Sequence, residues 1–206
     1  GHGPGARPGL RPGRLRFEAR AAGPSTPYKA MRTLPPILET ERLVLKAHGL
    51  DDLESVVALW SNADVARFIG GRPSTREECW ARLLRYAGSW SLLGFGFWTI
   101  RDRAAGTYFG EAGLLQGQRA LHPGFGETPE VGWALMPSAQ GKGLAREALH
   151  AVLNWAQAQG IEKTVCMIEP GNIPSIKLAE RLGFAEYART TYHGTNVKLY
   201  ERVSLD

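Results

Sequence analysis

Cysteine is scarce in this sequence: 206 residues hold only Cys79 and Cys166. Neither belongs to a C-x-x-C pair, which excludes a disulfide scaffold and a thiolate metal cluster. Five scattered histidines show no zinc-type spacing, so no metal is expected. Long apolar runs are missing as well. The nearest candidate, Trp90 to Ile100, is broken by Gly94 and Gly96 and is far shorter than the roughly 20 residues a bilayer demands. No apolar centre of a signal peptide stands near the start. A cytoplasmic protein without a membrane partner is the expectation, and no internal repeat is visible.

A formal charge of +5 invites a nucleic-acid reading until its position is examined. Residues 1–30 carry Arg7, Arg11, Arg14, Arg16, Arg20 and Lys29 against Glu18 alone, which accounts for the whole excess. The remainder is balanced, whereas a nucleic-acid-binding domain carries a basic face to neutralise phosphates. No nucleic-acid partner is expected for the domain. Residues 1–30, rich in Gly, Pro and Arg, read as a flexible extension, or one added for expression, before a natural start at Met31. A targeting or RNA-contacting arm is the sharper alternative. Residues 31–206 read as a single domain, with the apolar and charged content of ordinary globular proteins.

From Leu38 onward the pattern is regular. Leu43-Val44-Leu45 forms a first strand. Asp51-Asp52 opens a helix carrying Leu53, Val56, Val57 and Trp60, with acids at the positive end of its dipole. A second helix follows Pro73, where Ser74 or Thr75 can cap and Glu77-Glu78 fill the first turn. Phe97–Ile100 and Thr107–Leu115 read as a hairpin through Arg101 to Gly106. Glu130 to Met136 is a strand stopped by Pro137. A long helix runs from about Lys142 to Gln159, with Ala145, Leu149, Val152, Leu153 and Ala156 on one face. Thr164–Ile168 is a buried strand in which Cys166 reads as a small hydrophobe. Pro174–Leu182 is a helix stopped by Gly183, and the chain ends in a hairpin turning near Gly194. The fold class is therefore α/β: a mixed, mostly antiparallel sheet flanked by helices, with a parallel crossover after Met136.

The chemistry is concentrated in the strand–loop–helix at 130–145. Gly141 and Gly143 let the backbone approach a ligand, and the first N–H groups of the following helix have no intrahelical partner and point along its positive end. Together they suit a pyrophosphate. A phosphate-binding P-loop requires G-x-x-x-x-G-K-[ST], which Gly141-Lys142-Gly143 does not match. A dinucleotide fingerprint requires a third glycine where Arg146 stands, although Glu169 could imitate its ribose-binding acid. The pattern Q-x-x-G-x-[GA] fits Gln140 to Ala145 without strain.

Gln140-Gly141-Lys142-Gly143-Leu144-Ala145 resembles the acetyl-CoA signature of the GNAT superfamily of N-acetyltransferases. Asn172 to Phe184, an Asn opening a helix that ends in Leu-Gly-Phe, resembles the family's second landmark. Leu38-Glu39-Thr40-Glu41-Arg42-Leu43 and Phe68-Ile69-Gly70-Gly71-Arg72-Pro73 are similar to the branch containing the ribosomal-protein N-terminal acetyltransferases. The resemblance covers about Leu38 to Leu205.

The resemblance implies that the strands at 130–136 and 164–168 splay apart, and that the pantetheine arm of acetyl-CoA pairs with backbone in the gap. Leu135, Met136 and Pro137 would line that arm, and an amide near Leu135 would receive the thioester oxygen. Gln140, Gly141, Lys142, Gly143, Leu144 and Ala145 would hold the pyrophosphate. Glu130 is the implied base, acting through water, and Glu111 the reserve; the plainer reading of Glu130 is an exposed strand-end carboxylate. Relatives often carry a thiol-contacting Tyr where Ala179 stands, so Ser175, one turn earlier, is the implied contact to sulfur. Asn172 is likewise implied to help hold the cofactor; its plainer reading is a cap, with Pro174 an early helical residue. The acceptor would lie between the two early helices, the Phe97–Ile100 strand and the C-terminal hairpin, near Trp60, Phe68, Trp90 and Trp98, although a core role is the better reading of any one of these aromatics. Arg72 could meet an acidic acceptor. The implied activity is transfer from acetyl-CoA to a primary amine, a protein N-terminus or a small amine. A non-catalytic acetyl-CoA sensor or assembly module is the alternative, and a homodimer would be unsurprising.

Overall fold

The computed structural model describes residues 35–204; the extension expected at 1–30 lies outside the described residues. Its frame is one eight-stranded sheet in the order β1-β2-β3-β4-β5-β6-β8-β7. The strands are β1 (Leu38–Glu39), β2 (Leu43–Ala47), β3 (Phe97–Asp102), β4 (Tyr108–Leu115), β5 (Glu130–Leu135), β6 (Lys163–Ile168), β7 (Ala185–Tyr192) and β8 (Thr195–Val203). The helices are α1 (Leu53–Trp60), α2 (Ala63–Ala66), α3 (Arg76–Leu93), α4 (Leu144–Ala158) and α5 (Ile173–Arg181). Every neighbouring pair is antiparallel except β5 and β6, which are joined by the α4 crossover. Among the described residues, no helix is long and apolar enough to cross a membrane.

Local chemistry explains the element ends. Thr75 caps α3 by accepting from the Glu78 amide, while the Glu78 carboxylate accepts from the Thr75 amide, a reciprocal box that satisfies two otherwise orphaned donors. Asp52 does more than supply acid to a first turn. It is buried, accepts from the Gly49 amide, and pairs with Arg101 of β3.

Two apolar clusters cover the sheet's opposite faces. One joins α4 and α5 to Leu43, Leu45, Ile100, Ala112, Leu114 and Val131. The other joins α1, α2 and α3 to Ala134, with Tyr108 and Met136 packed against it. Within α4, Leu149, Val152, Leu153 and Ala156 are almost completely buried, as the helical period requires. Trp90, Trp98 and Trp155 meet edge-to-face at centroid distances of 4.6 to 5.5 Å and anchor the first cluster.

Two irregularities shape the centre. Opposite Ile100 and Arg101 the register on β4 jumps from Gly110 to Tyr108, leaving Phe109 as an extra residue. Such a bulge re-aims side chains; here Tyr108 and Glu111 come to share the face covered by α1 and α3. The second irregularity is the junction of β5 and β6. Its register contains one pair, Glu130 with Val165, whereas β6 pairs with β8 at six positions. Beyond Glu130 the two parallel strands diverge.

Candidate active site

The divergence leaves backbone groups of β5 facing an opening. The Met136 amide donates to the Phe109 carbonyl on β4 at 2.8 Å, and the Pro129 carbonyl accepts from Val165 on β6 at 3.1 Å. Because successive amides alternate sides along a strand, the N–H groups of Trp133 and Leu135 face the opening, where the register provides no strand partner. The Leu135 carbonyl also faces it, but it accepts from the Gln140 side-chain amide at 2.9 Å. Gln140 therefore fastens the loop to the end of β5.

That loop continues through a single 3-10 turn, Pro137–Ala139, into Gly141 and Gly143, at φ 72° and 76°. Both lie in the left-handed region that a side chain disfavours. Gly143 is the N-cap of α4 and offers no side-chain cap; the first intrahelical bond is Glu147 N–H to Gly143 C=O at 3.1 Å. The amides of Leu144, Ala145 and Arg146 precede that bond and remain available to an anion. The helix thus starts two residues later than the expected Lys142, which leaves the glycine turn outside it.

A brace on this turn was not anticipated. Glu147 accepts from the Thr40 hydroxyl at 2.6 Å, the Arg42 amide at 2.8 Å and Arg42 Nε at 2.7 Å. Arg42 Nη1 also donates to the Lys142 carbonyl at 3.0 Å. Burial would raise the Glu147 pKa, but the Thr40 and Arg42 bonds outweigh it and hold the carboxyl below its usual range. Thr40 and Arg42 lie within the Leu38–Leu43 segment, the signal that could have pointed here.

Across the opening, Asn172 caps α5: its Oδ1 accepts from the Ser175 amide at 3.3 Å, with Pro174 in the first turn. The Ser175 side chain is half-buried one turn before Ala179, which is fully buried.

The two carboxylates expected as bases have different surroundings. Glu130 is 6% exposed, which corrects the picture of an exposed strand end. The bond that encloses it comes from Arg119, whose Nε and Nη2 donate to its two oxygens at 2.5 and 2.9 Å. Burial lowers the Arg119 pKa, but the bonds and charge of Glu130 outweigh this and leave it above its ordinary value. Glu111 is wholly buried and accepts from Trp60 Nε1 at 2.9 Å, Tyr108 OH at 3.3 Å and Tyr86 OH, with His48 Nε2 3.1 Å away. Burial pushes its pKa up, yet His48, Tyr86 and Arg82 prevail and keep it below the ordinary value. Tyr86 and Tyr108 are driven well above theirs by burial and by the Glu111 charge, so they remain donors. Both Glu111 oxygens are engaged by these neighbours, and the residue is wholly enclosed.

The expected acceptor aromatics divide. Trp60, Trp90 and Trp98 are 3%, 8% and 0% exposed and belong to the cores, while half-buried Phe68 lies on the loop after α2. Arg72 is exposed and paired with Glu78 at 2.5 Å. Among the described residues no group of His, Cys, Asp and Glu could hold a metal ion. Cys79 and Cys166 are buried and their thiol pKa values are raised by that burial, so neither is an activated nucleophile.

Comparison with known proteins agrees with this geometry. Residues 42–185 match the acetyltransferase (GNAT) domain family. The uncharacterized N-acetyltransferase YnaD of Bacillus subtilis is 26% identical over 148 residues, covering 71% of this chain and 81% of its own. A GnaT-family acetyltransferase structure from Bordetella pertussis superposes with a TM-score of 0.74 at 35% identity, covering 82% of this chain and all of its own. RimL, the ribosomal L7/L12 alpha-N-protein acetyltransferase solved with coenzyme A, shares the fold at a TM-score of 0.67 and 18% identity, over 82% of this chain and 98% of its own.

Proposed function

The chain belongs to the GNAT family and is an acetyl-CoA-dependent acetyltransferase, and on that premise we propose that it acetylates a primary amine by direct attack in a ternary complex. The observation that carries this reading is the opening between β5 and β6, which ends on the glycine turn and the free amides of α4. The pantetheine arm would pair with the open Trp133 and Leu135 amides of β5 and be lined by Leu135, Met136 and Pro137. Its pyrophosphate would lie on the amides from Gly141 to Ala145. Gln140 supports that loop through Leu135, and Asn172 orders the turn that presents Ser175.

The strand geometry refines the roles. Leu135 lies five residues beyond Glu130, roughly 16 Å along an extended strand, and Trp133 about 10 Å. If Glu130 serves the reacting centre through water, the Trp133 amide is the better placed of the two to receive the thioester oxygen. Glu130 accepts one bond at each oxygen from Arg119, and each oxygen retains a lone pair for such a water. The amine nitrogen bonds to the acetyl carbonyl carbon, the C–S bond breaks, and the departing sulfur takes a hydrogen bond from Ser175. The buried cysteines offer no acyl-enzyme route. The acceptor is a small amine or a protein N-terminus.

Incubation with acetyl-CoA and a panel of N-terminal peptides and small amines tests this, read by thiol release and mass spectrometry. Thiol release that depends on the amine, with an N-acetylated product, is expected. Acetyl-CoA binding with no transfer to any amine would leave a sensor module in its place.

A further inference from the structure

The segment joining β4 to β5 encloses a cavity of about 120 Å³ whose lining includes Gln116, Gln118, Arg119, Phe125, Thr128 and Glu130. Arg119 and Glu130 are its only charged walls, and Glu130 belongs to the strand that borders the acetyl-CoA opening. The Arg119 guanidinium carries five N–H donors. Glu130 engages two of them, along the Nε–Nη2 edge. Tyr192, from the C-terminal hairpin, places its ring 5.1 Å from the guanidinium carbon. Tyr192 is also a hydrogen-bonding neighbour of this guanidinium, and the Arg119 side chain, with donors that Glu130 does not use, lines the cavity. A guanidinium so held can grip a second carboxylate across its Nη1–Nη2 end.

We infer that Arg119 is a specificity-determining residue and that the acceptor is a small amine bearing a carboxylate next to its nitrogen, as a free amino acid does. The inference rests on the proposed role of Glu130 as base. Arg119 and Glu130 present a positive and a negative group side by side, the complement of a zwitterion's carboxylate and ammonium. The cavity admits a group of a few heavy atoms, and a polypeptide N-terminus brings no carboxylate to the unused donors. During transfer the carboxylate stays on Arg119 unchanged. Of the two protons the ammonium sheds, one leaves through the water on Glu130 and the other goes to the departing sulfur, giving the N-acetylated acid and CoA thiol.

The test compares L-amino acids with their own α-carboxamides, scored as kcat/KM per free amine, in the full chain and in Arg119→Gln. Wild type should favour the acid by about 10- to 100-fold, the worth of a hydrogen bond to a charged group. Arg119→Gln should erase that preference mainly through KM for the acid. Any disturbance of Glu130 by the substitution falls on acid and amide alike, so the ratio isolates the carboxylate contact. If Arg119→Gln does not fold, the wild-type ratio alone decides. Equal wild-type rates on acid and amide would overturn the inference. So would an unchanged ratio in Arg119→Gln, or acetylation of N-terminal peptides but not of amino acids; each leaves the proposed function standing. Failure to acetylate any amine would remove both.

Discussion

The side-chain amide of Gln140 donates to the Leu135 carbonyl at 2.9 Å, closing the strand end with the first residue of the glycine turn. This bond removes one acceptor from the open edge of β5 while leaving the Leu135 and Trp133 amides toward the gap. The turn that follows is held from its other side by Arg42 on the Lys142 carbonyl. A cradle made of backbone is thus positioned by two side chains that do not themselves need to touch the ligand.

Gly143→Val should weaken acetyl-CoA binding by at least tenfold in a folded protein. At φ 76° an L-residue costs about 1–2 kcal/mol, and a β-branched one is an outlier. The added Cβ would meet only Arg42 Nη2, at 3.6 Å, so the fold has room for it while the turn loses its shape. Isothermal titration with circular dichroism checks both halves, and unchanged affinity would refute the cradle.

Arg42→Ala should also reduce acetyl-CoA affinity, although Arg42 lies about a hundred residues from the turn. It removes the bond to the Lys142 carbonyl and two side-chain contacts to Glu147. Because this pair is part-exposed, the loss should be modest and should shrink with added salt. Titration at two ionic strengths reads it, and a salt-independent loss would assign Arg42 another role.

Glu111→Gln tests the buried cluster. The amide presents an N–H₂ where the carboxylate accepts from Tyr86 and Trp60, so the variant should lose on the order of 2–4 kcal/mol of stability. The folded pKa of Glu111 is depressed. Its contribution is therefore fully present above the ordinary carboxyl pKa and disappears as pH falls through the lower folded value. Urea titrations should show wild type losing stability in that acid window with a steeper slope than Glu111→Gln. Parallel slopes would show that Glu111 is not the group responsible.

Legibility followed sequence distance. The strand-turn-helix at 130–145 was readable because its signals are local: an apolar run stopped by Pro137, two glycines, then a helical period. The Thr75–Glu78 box was readable for the same reason. The enclosure of Glu111 was not, since it depends on a bulge at Phe109 and on donors from α1 and α3. Arg119 stands in a segment without periodicity, so nothing marked it as the partner of Glu130. For Trp60, Trp90 and Trp98 the core role, which is the better reading of any one large aromatic, is the one the structure shows.

The proton-transfer roles separate by pH. The α-amino group of a polypeptide has a pKa of about 7.7–8.0, and the carboxylate beside the nitrogen of a free amino acid raises it further, so near neutrality much of the acceptor must lose a proton before attack. If Glu130 receives it through water, Glu130→Gln should lower kcat most near neutral pH, by about 10²- to 10⁴-fold, and the defect should shrink as solution supplies free amine. The amide can accept only one of the two Arg119 bonds and sets its N–H₂ against the other donor, so kcat is compared at a temperature where circular dichroism shows the variant folded. Ser175→Ala should show a smaller loss that stays constant across the same range, because departure of the sulfur does not depend on the amine's ionisation. Both variants should bind acetyl-CoA as wild type does, since the cradle is backbone. Profiles for Glu130→Gln and wild type that run parallel at every pH would sink the base assignment. With Glu111 sealed by its donors, the remaining route would be deprotonation in bulk solvent before binding, visible as a rate that tracks free-amine concentration alone.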